Sequence, residues 1–153
     1  MLRLNSYLPY LVNRVGQRFV AGFTPALRAQ GVDVQMWRVM IVLHAEGPQS
    51  AGALSRLTSI NLSTLSRLVA RMEEKRLVER RRDGADARSV VVALTEEGRR
   101  RTEALLPAAA ALEAAAAADF TAAELAILKS LLAKLYAGTS EAQPAEEGRR
   151  EAS

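Results

Sequence analysis

Arg67 and Arg71 stand four residues apart in the run "NLSTLSRLVARMEEKRLV", Asn61 to Val78. At that spacing on a helix two side chains point the same way. Ser63, Thr64 and Ser66 share the stretch. Small hydroxyl side chains near a helix N-terminus bond phosphate oxygens, helped by the positive end of the helix dipole. They also leave room for the helix to sink into a major groove, where one of the two arginines could reach a guanine edge and the other a phosphate. A second cationic group follows: Arg80, Arg81 and Arg82 run into a turn that holds Asp86 and Arg88. Neighbouring residues of a strand face opposite ways, so three consecutive arginines cannot all serve one role. Arg81 and Arg82, nearest the tip, are assigned to phosphates beside the groove. An Asp86–Arg88 pair would stiffen the tip and aim a guanidinium at a narrow A·T-rich minor groove, where the negative potential is strongest. Exposed ion pairs are usually worth little; the basic surroundings raise the functional reading above that rule.

The charge distribution points the same way. Net charge over the 153 residues is +4. Ser55 to Arg101 holds 12 Lys+Arg against 7 Asp+Glu, or +5, and the remainder holds 9 against 10, or −1. All the excess positive charge therefore lies in the segment that carries the two arginine groups, as a local phosphate-binding surface requires. Because alanine and arginine are abundant throughout, arginine position carries the argument rather than arginine number.

Composition narrows the alternatives. Without cysteine there is no disulfide, thiolate metal site or thiol switch. His44 is the single histidine; no metal site and no cofactor are expected. No apolar run approaches the roughly 20 residues of a membrane span. "MLRLNSYLPYLVNRV" lacks the apolar run and cleavage site of a secretion signal, so a cytoplasmic location is expected.

The elements that must hold these residues are mainly helical. Leu4, Leu8, Leu11, Val12, Val15, Phe19 and Phe23 recur at helical spacing, and Pro25 should end or kink that helix. Asp33 is placed to cap a second helix that stops at Gly47–Pro48, and Ser50 starts a short third one. Asn61 caps the arginine-bearing helix, which runs to about Lys75 with Leu62, Leu65, Leu68, Val69 and Met72 as its buried stripe. "LVERRR" and "SVVVAL" read as two strands, and the six residues between them, Asp83 to Arg88, make an extended hairpin tip. Thr95 caps a long helix kinked at Pro107. Thr121 and Glu124 form a capping box for a last helix striped with Leu125, Leu128, Leu132 and Leu135. The expected fold is mainly α with a small β-hairpin wing. One domain covers 1–137: a winged helix-turn-helix lobe at 33–95 and helices at 1–30 and 96–137 that serve dimerisation. The polar segment 138–153 should be disordered.

"DARSVVVALTEEG", Asp86 to Gly98, matches the Asp-x-Arg…Leu-Thr-x-x-Gly wing signature of the MarR family of winged-helix transcriptional regulators. "STLSRLVARMEEKRLVERR" resembles that family's recognition helix and first wing strand. The resemblance covers roughly Leu4 to Tyr136. It implies a dimer whose first and last two helices interlock, and binding to a pseudo-palindromic double-stranded DNA site. It also implies repression relieved by a small anionic or phenolic ligand. Ser63, Thr64, Ser66 and Arg67 match its groove-reading positions, and Asp86 and Arg88 its wing tip. Two positions depart from the pattern: Arg76 and Ser59 stand where the family commonly has glycine. A left-handed arginine at position 76 should cost about 1 kcal/mol.

The resemblance further suggests an effector pocket near Tyr10, Arg14, Met36, Trp37 and Met40. Trp37 and the methionines, at helical spacing, equally suit a core. A ligand would act by favouring a dimer with the wrong recognition-helix spacing. An enzyme is not expected, since no glycine-rich phosphate loop, cysteine nucleophile or persuasive carboxylate pair is present. A ligand-independent architectural DNA-binding protein would share the winged helix but lack sequence preference. A helical dimer that binds protein would leave the basic wing dispensable.

Overall fold

Short polar side chains start the helices. Asp33 Oδ1 accepts the Met36 N–H at 2.9 Å, Ser50 Oγ accepts from Ala53 at 3.2 Å, and Asn61 Oδ1 accepts from Thr64 at 2.9 Å. Thr95 Oγ1 accepts from Gly98 at 3.0 Å. Thr121 and Glu124 cap each other's backbone N–H at 2.8 and 3.2 Å. Each cap satisfies a backbone donor the helix cannot and contributes about 1 kcal/mol.

The computed structural model describes residues 3–82 and 89–140, in two units, 1–112 and 113–153. In the first, a 3-10 turn at Leu4–Ser6 leads into α1 (Leu8–Ala29), α2 (Val34–Glu46), β1 (Gln49–Ser50), α3 (Ala51–Thr58), α4 (Leu62–Glu74), β2 (Val78–Arg82), β3 (Val90–Leu94) and most of α5 (Glu96–Ala116). The second holds the end of α5 and α6 (Ala122–Ser140).

Three expectations change. Of the two outcomes expected at Pro25, an end or a kink, the end is excluded: helix α1 runs through it. Phe23 and Leu27, on either side of the proline, are both buried, and that packing offsets the lost hydrogen bond. The helix stops at Gly31, whose φ of +65° lets the Gly31 and Val32 N–H groups close back on Arg28 and Leu27. The wing is part of a three-stranded sheet in the order β1-β3-β2: Gln49 pairs with Val92 on one side, Arg80 with Val92 on the other. Helix α6 continues to Ser140, past residue 138 where the tail was expected to begin; residues 141–153 lie outside the described residues.

The core joins Leu54 of α3, Leu65 and Met72 of α4, Val39 and Met40 of α2, Leu77 before the sheet and Leu105 of α5. Gly98 shows how closely α5 docks. A Cβ there would lie 1.9 Å from the Leu77 carbonyl oxygen. That oxygen accepts the Thr95 N–H at 3.1 Å, and Thr95 Oγ1 donates to the Arg76 carbonyl. The Leu-Thr-Glu-Glu-Gly run is thus a docking joint: threonine caps the helix and ties it to the wing strand, and glycine lets the two backbones touch.

Candidate nucleic-acid interface

Helix α4 is presented by the turn before it. Ser59 ends α3 in the left-handed conformation (φ 56°, ψ 29°). The Ser55 hydroxyl donates to the Ile60 carbonyl at 2.6 Å, fixing the turn, and Asn61 opens α4. Leu65, Leu68, Val69 and Met72 are buried beneath. Leu62 is a correction to the expected stripe. It is 55% exposed, whereas Leu65, three residues on, is fully buried. The same end of α4 carries Ser63, Thr64, Ser66 and Arg67, all exposed. Ser63 Oγ donates to the capping Asn61 Oδ1 at 3.0 Å, so its lone pairs face outward free to accept.

The expected cations separate into two groups. Arg71 Nη2 lies 3.0 Å from Asp33 Oδ2, and Arg80 Nη1 pairs with the Glu73 carboxylate. Arg100 and Arg101 share Glu97, with contacts of 2.7 and 2.6 Å. Hydrogen bonds from Arg100 and then Arg101 hold the Glu97 carboxyl down to about 2. Among the described residues, Arg67, Arg81 and Arg82 have no carboxylate partner. Among the described residues, charge without a carboxylate partner therefore stands on the first half of α4 and the outer end of β2. Asp86 and Arg88 lie outside the described residues.

Sequence reasoning missed Glu73 and Asp33 as partners of the basic side chains. Glu73 and Arg80 are seven residues apart across a helix end, and Asp33 and Arg71 thirty-eight apart; neither spacing announces a contact. The five residues expected at a ligand pocket differ in their surroundings. Met36 and Met40 are wholly buried in the core. Trp37 meets Phe23 edge-on, with ring centroids 5.1 Å apart. Arg14 lies over the Tyr10 ring, 5.5 Å from its centroid, one turn along α1.

The sequence pattern of the MarR family matches residues 30–89, the segment that builds α2, α3, α4 and β2. The transcriptional repressor IacR of Pseudomonas putida is 32% identical over 94 residues, covering 61% of this chain and 56% of its own length. The chain thus spans little more than half of that relative. A MarR family transcriptional regulator from Silicibacter pomeroyi superposes with a TM-score of 0.78 at 29% identity, covering 89% of this chain and 92% of its own. BpsR of Bordetella bronchiseptica, whose DNA binding is regulated by 6-hydroxynicotinic acid, superposes with a TM-score of 0.77 at 25% identity, covering 89% and 97%.

Proposed function

Since the chain belongs to the MarR family of winged helix-turn-helix transcriptional regulators, a family of DNA-binding proteins rather than enzymes, we propose that it is a homodimeric repressor of a pseudo-palindromic operator. A small anionic or phenolic ligand would release it. The observation that carries the reading is the uncompensated charge of Arg67, Arg81 and Arg82 beside the exposed hydroxyls of Ser63, Thr64 and Ser66. Groove reading falls to the α4 residues, with Arg67 placed to reach a base edge. Arg81 and Arg82 would neutralise phosphates, and Arg88, aimed by Asp86, would enter the minor groove.

Dimerisation is supported by apolar side chains left in water. Leu8, Leu11, Val12, Val15 and Phe19 of α1 are exposed, and so are Ile127, Leu128, Leu131, Leu132 and Tyr136 of α6. On each helix taken by itself, exposed apolar residues of this kind mark an association face. A two-fold dimer sets its recognition helices about one DNA turn apart, which is why the operator would be pseudo-palindromic. Release by a ligand is supported by BpsR, a structural neighbour regulated by 6-hydroxynicotinic acid. Tyr10, Arg14 and Trp37 keep accessible surface and are the candidates for contact with such a molecule. Met36 and Met40 would shape its surroundings from the core.

Selection of genomic fragments by the purified chain tests this. One enriched pseudo-palindrome is expected; broad enrichment without a motif would make the protein an architectural one. On the recovered site, Arg67→Ala should relax base preference at one position. Arg88→Ala should weaken binding by about 1–3 kcal/mol, most at A·T-rich flanks.

A further inference from the structure

Three cations converge on the connection between α1 and α2. Arg71 of α4 reaches Asp33 at 3.0 Å, and Lys75, one turn later, donates to the Gly31 carbonyl at 3.4 Å. Arg101 of α5 donates to the Gln30 carbonyl at 2.8 Å while Glu97 holds its Nε at 2.6 Å. These carbonyls close the C-terminus of α1, where positive charge is favoured. Asp33 uses both carboxylate oxygens, Oδ1 to cap α2 and Oδ2 to hold Arg71. Gly31 adds a steric reason for its identity, since a Cβ there would lie 3.3 Å from Arg101 Nη1.

We propose that Arg71 is a positioning residue: with Lys75 it fastens the second half of α4 to the α1–α2 elbow and so sets the angle at which the first half meets DNA. The proposal rests on the DNA-binding reading above and goes beyond it, because it takes Arg71 out of the set of phosphate contacts. Arg67 and Arg71 lie on one side of the helix, yet only Arg71 is engaged by a carboxylate. The pair is 57% and 45% exposed, so it contributes little to overall stability. Linkage bounds its effect on DNA binding in the same way, since a contact that favours the competent geometry shifts affinity by no more than its own free energy.

Two variants separate a brace from a phosphate contact. Asp33→Ser keeps a good helix cap but is too short to hold Arg71, and Arg71→Met removes the cation while keeping much of its stem. On the duplex enriched by the wild-type chain, each should weaken binding roughly three- to fivefold, the weight of an exposed ion pair. The double variant should bind no worse than either single one, and the salt dependence should stay unchanged. The proposal is overturned if Arg71→Met lowers the slope of log K against log salt by about one while Asp33→Ser binds as well as wild type or better. Amide hydrogen exchange of the free chain gives a readout independent of DNA. Both variants should speed exchange at Met72 to Lys75, and unchanged protection there would remove the brace. If the wild-type chain bound no duplex, the regulator reading would fall, and exchange would still decide the elbow.

Discussion

Helices α4 and α6 are both rich in leucine, yet they keep it in opposite places. Leu65, Leu68, Val69 and Met72 of α4 are buried, whereas Ile127 and Leu131 of α6 are 59% and 58% exposed and no residue of α6 is buried. One helix has its partners within the chain, and the other presents its apolar residues outward. The difference separates two jobs. The lobe around α4 can fix a reading surface by itself, with a polar face left over for DNA. Helix α6 has exposed apolar surface, and under the proposed dimer a second copy would cover it.

Glycine substitutions give the sharpest contrast. Gly98→Ala forces a Cβ to within 1.9 Å of the Leu77 carbonyl, which is backbone and cannot swing aside. The lobe should lose about 3 kcal/mol, at the upper end of overpacking effects, as read by denaturant unfolding. Gly138→Ala in α6 meets nothing within 4 Å and should stabilise that helix by about 0.5–1 kcal/mol. Equal effects at the two sites would erase the distinction between a docked joint and an open face.

The association face can be broken without touching the lobe. Ile127→Glu with Leu131→Glu places two carboxylates on neighbouring turns of α6. Sedimentation should shift from dimer to monomer, while the near-ultraviolet signal of Trp37 against Phe23, whose ring centroids lie 5.1 Å apart, stays unchanged. A dimer that survives both charges would move the interface away from this part of α6.

A smaller effect tests the end of α4. The Arg76 and Leu77 N–H groups close on Glu73 and Met72 at 2.8 and 2.9 Å, with Arg76 at φ +56°. Arg76→Gly should relieve that left-handed backbone and stabilise the lobe by about 1 kcal/mol, measured as a raised unfolding midpoint. No gain would mean that the arginine stem makes up the difference by packing.

How far these features could be read beforehand depended on the distance over which each is determined. Caps at Asp33, Asn61, Thr95 and Thr121 are contacts over three residues, so side-chain type and spacing revealed them. The left-handed strain at Arg76 was equally local. Gly98 stood out as part of a motif, but its reason is a carbonyl twenty-one residues earlier. Strand β1 is two residues long, too short for any periodicity to announce it. Pro25 does not end its helix, because propensity ignores the burial of Phe23 and Leu27 around it. The candidate DNA-reading face was legible as residue types on one helix. Which arginines on it already have partners was not, because Asp33 lies thirty-eight residues from Arg71.

Glu97 holds Arg100 and Arg101 at the start of α5. Its carboxyl is lowered from 4.5 to about 2 by those hydrogen bonds, Arg100 first. A depressed folded-state value means that the folded protein favours the ionised form. The contribution is therefore complete above 4.5 and is lost as pH falls through about 2. Glu97→Gln removes it at every pH. Wild type should unfold at a higher denaturant concentration than the variant at neutral pH. That gap should narrow below 4.5 and close near 2. The effect should be small, because the cluster is partly exposed and salt screens it. Arg101 also donates to the Gln30 carbonyl, so the variant loosens one of the three cations at the elbow. If the gap persisted undiminished at low pH, the variant's defect would be steric rather than ionic, and Glu97 would be a packing residue with an incidental charge.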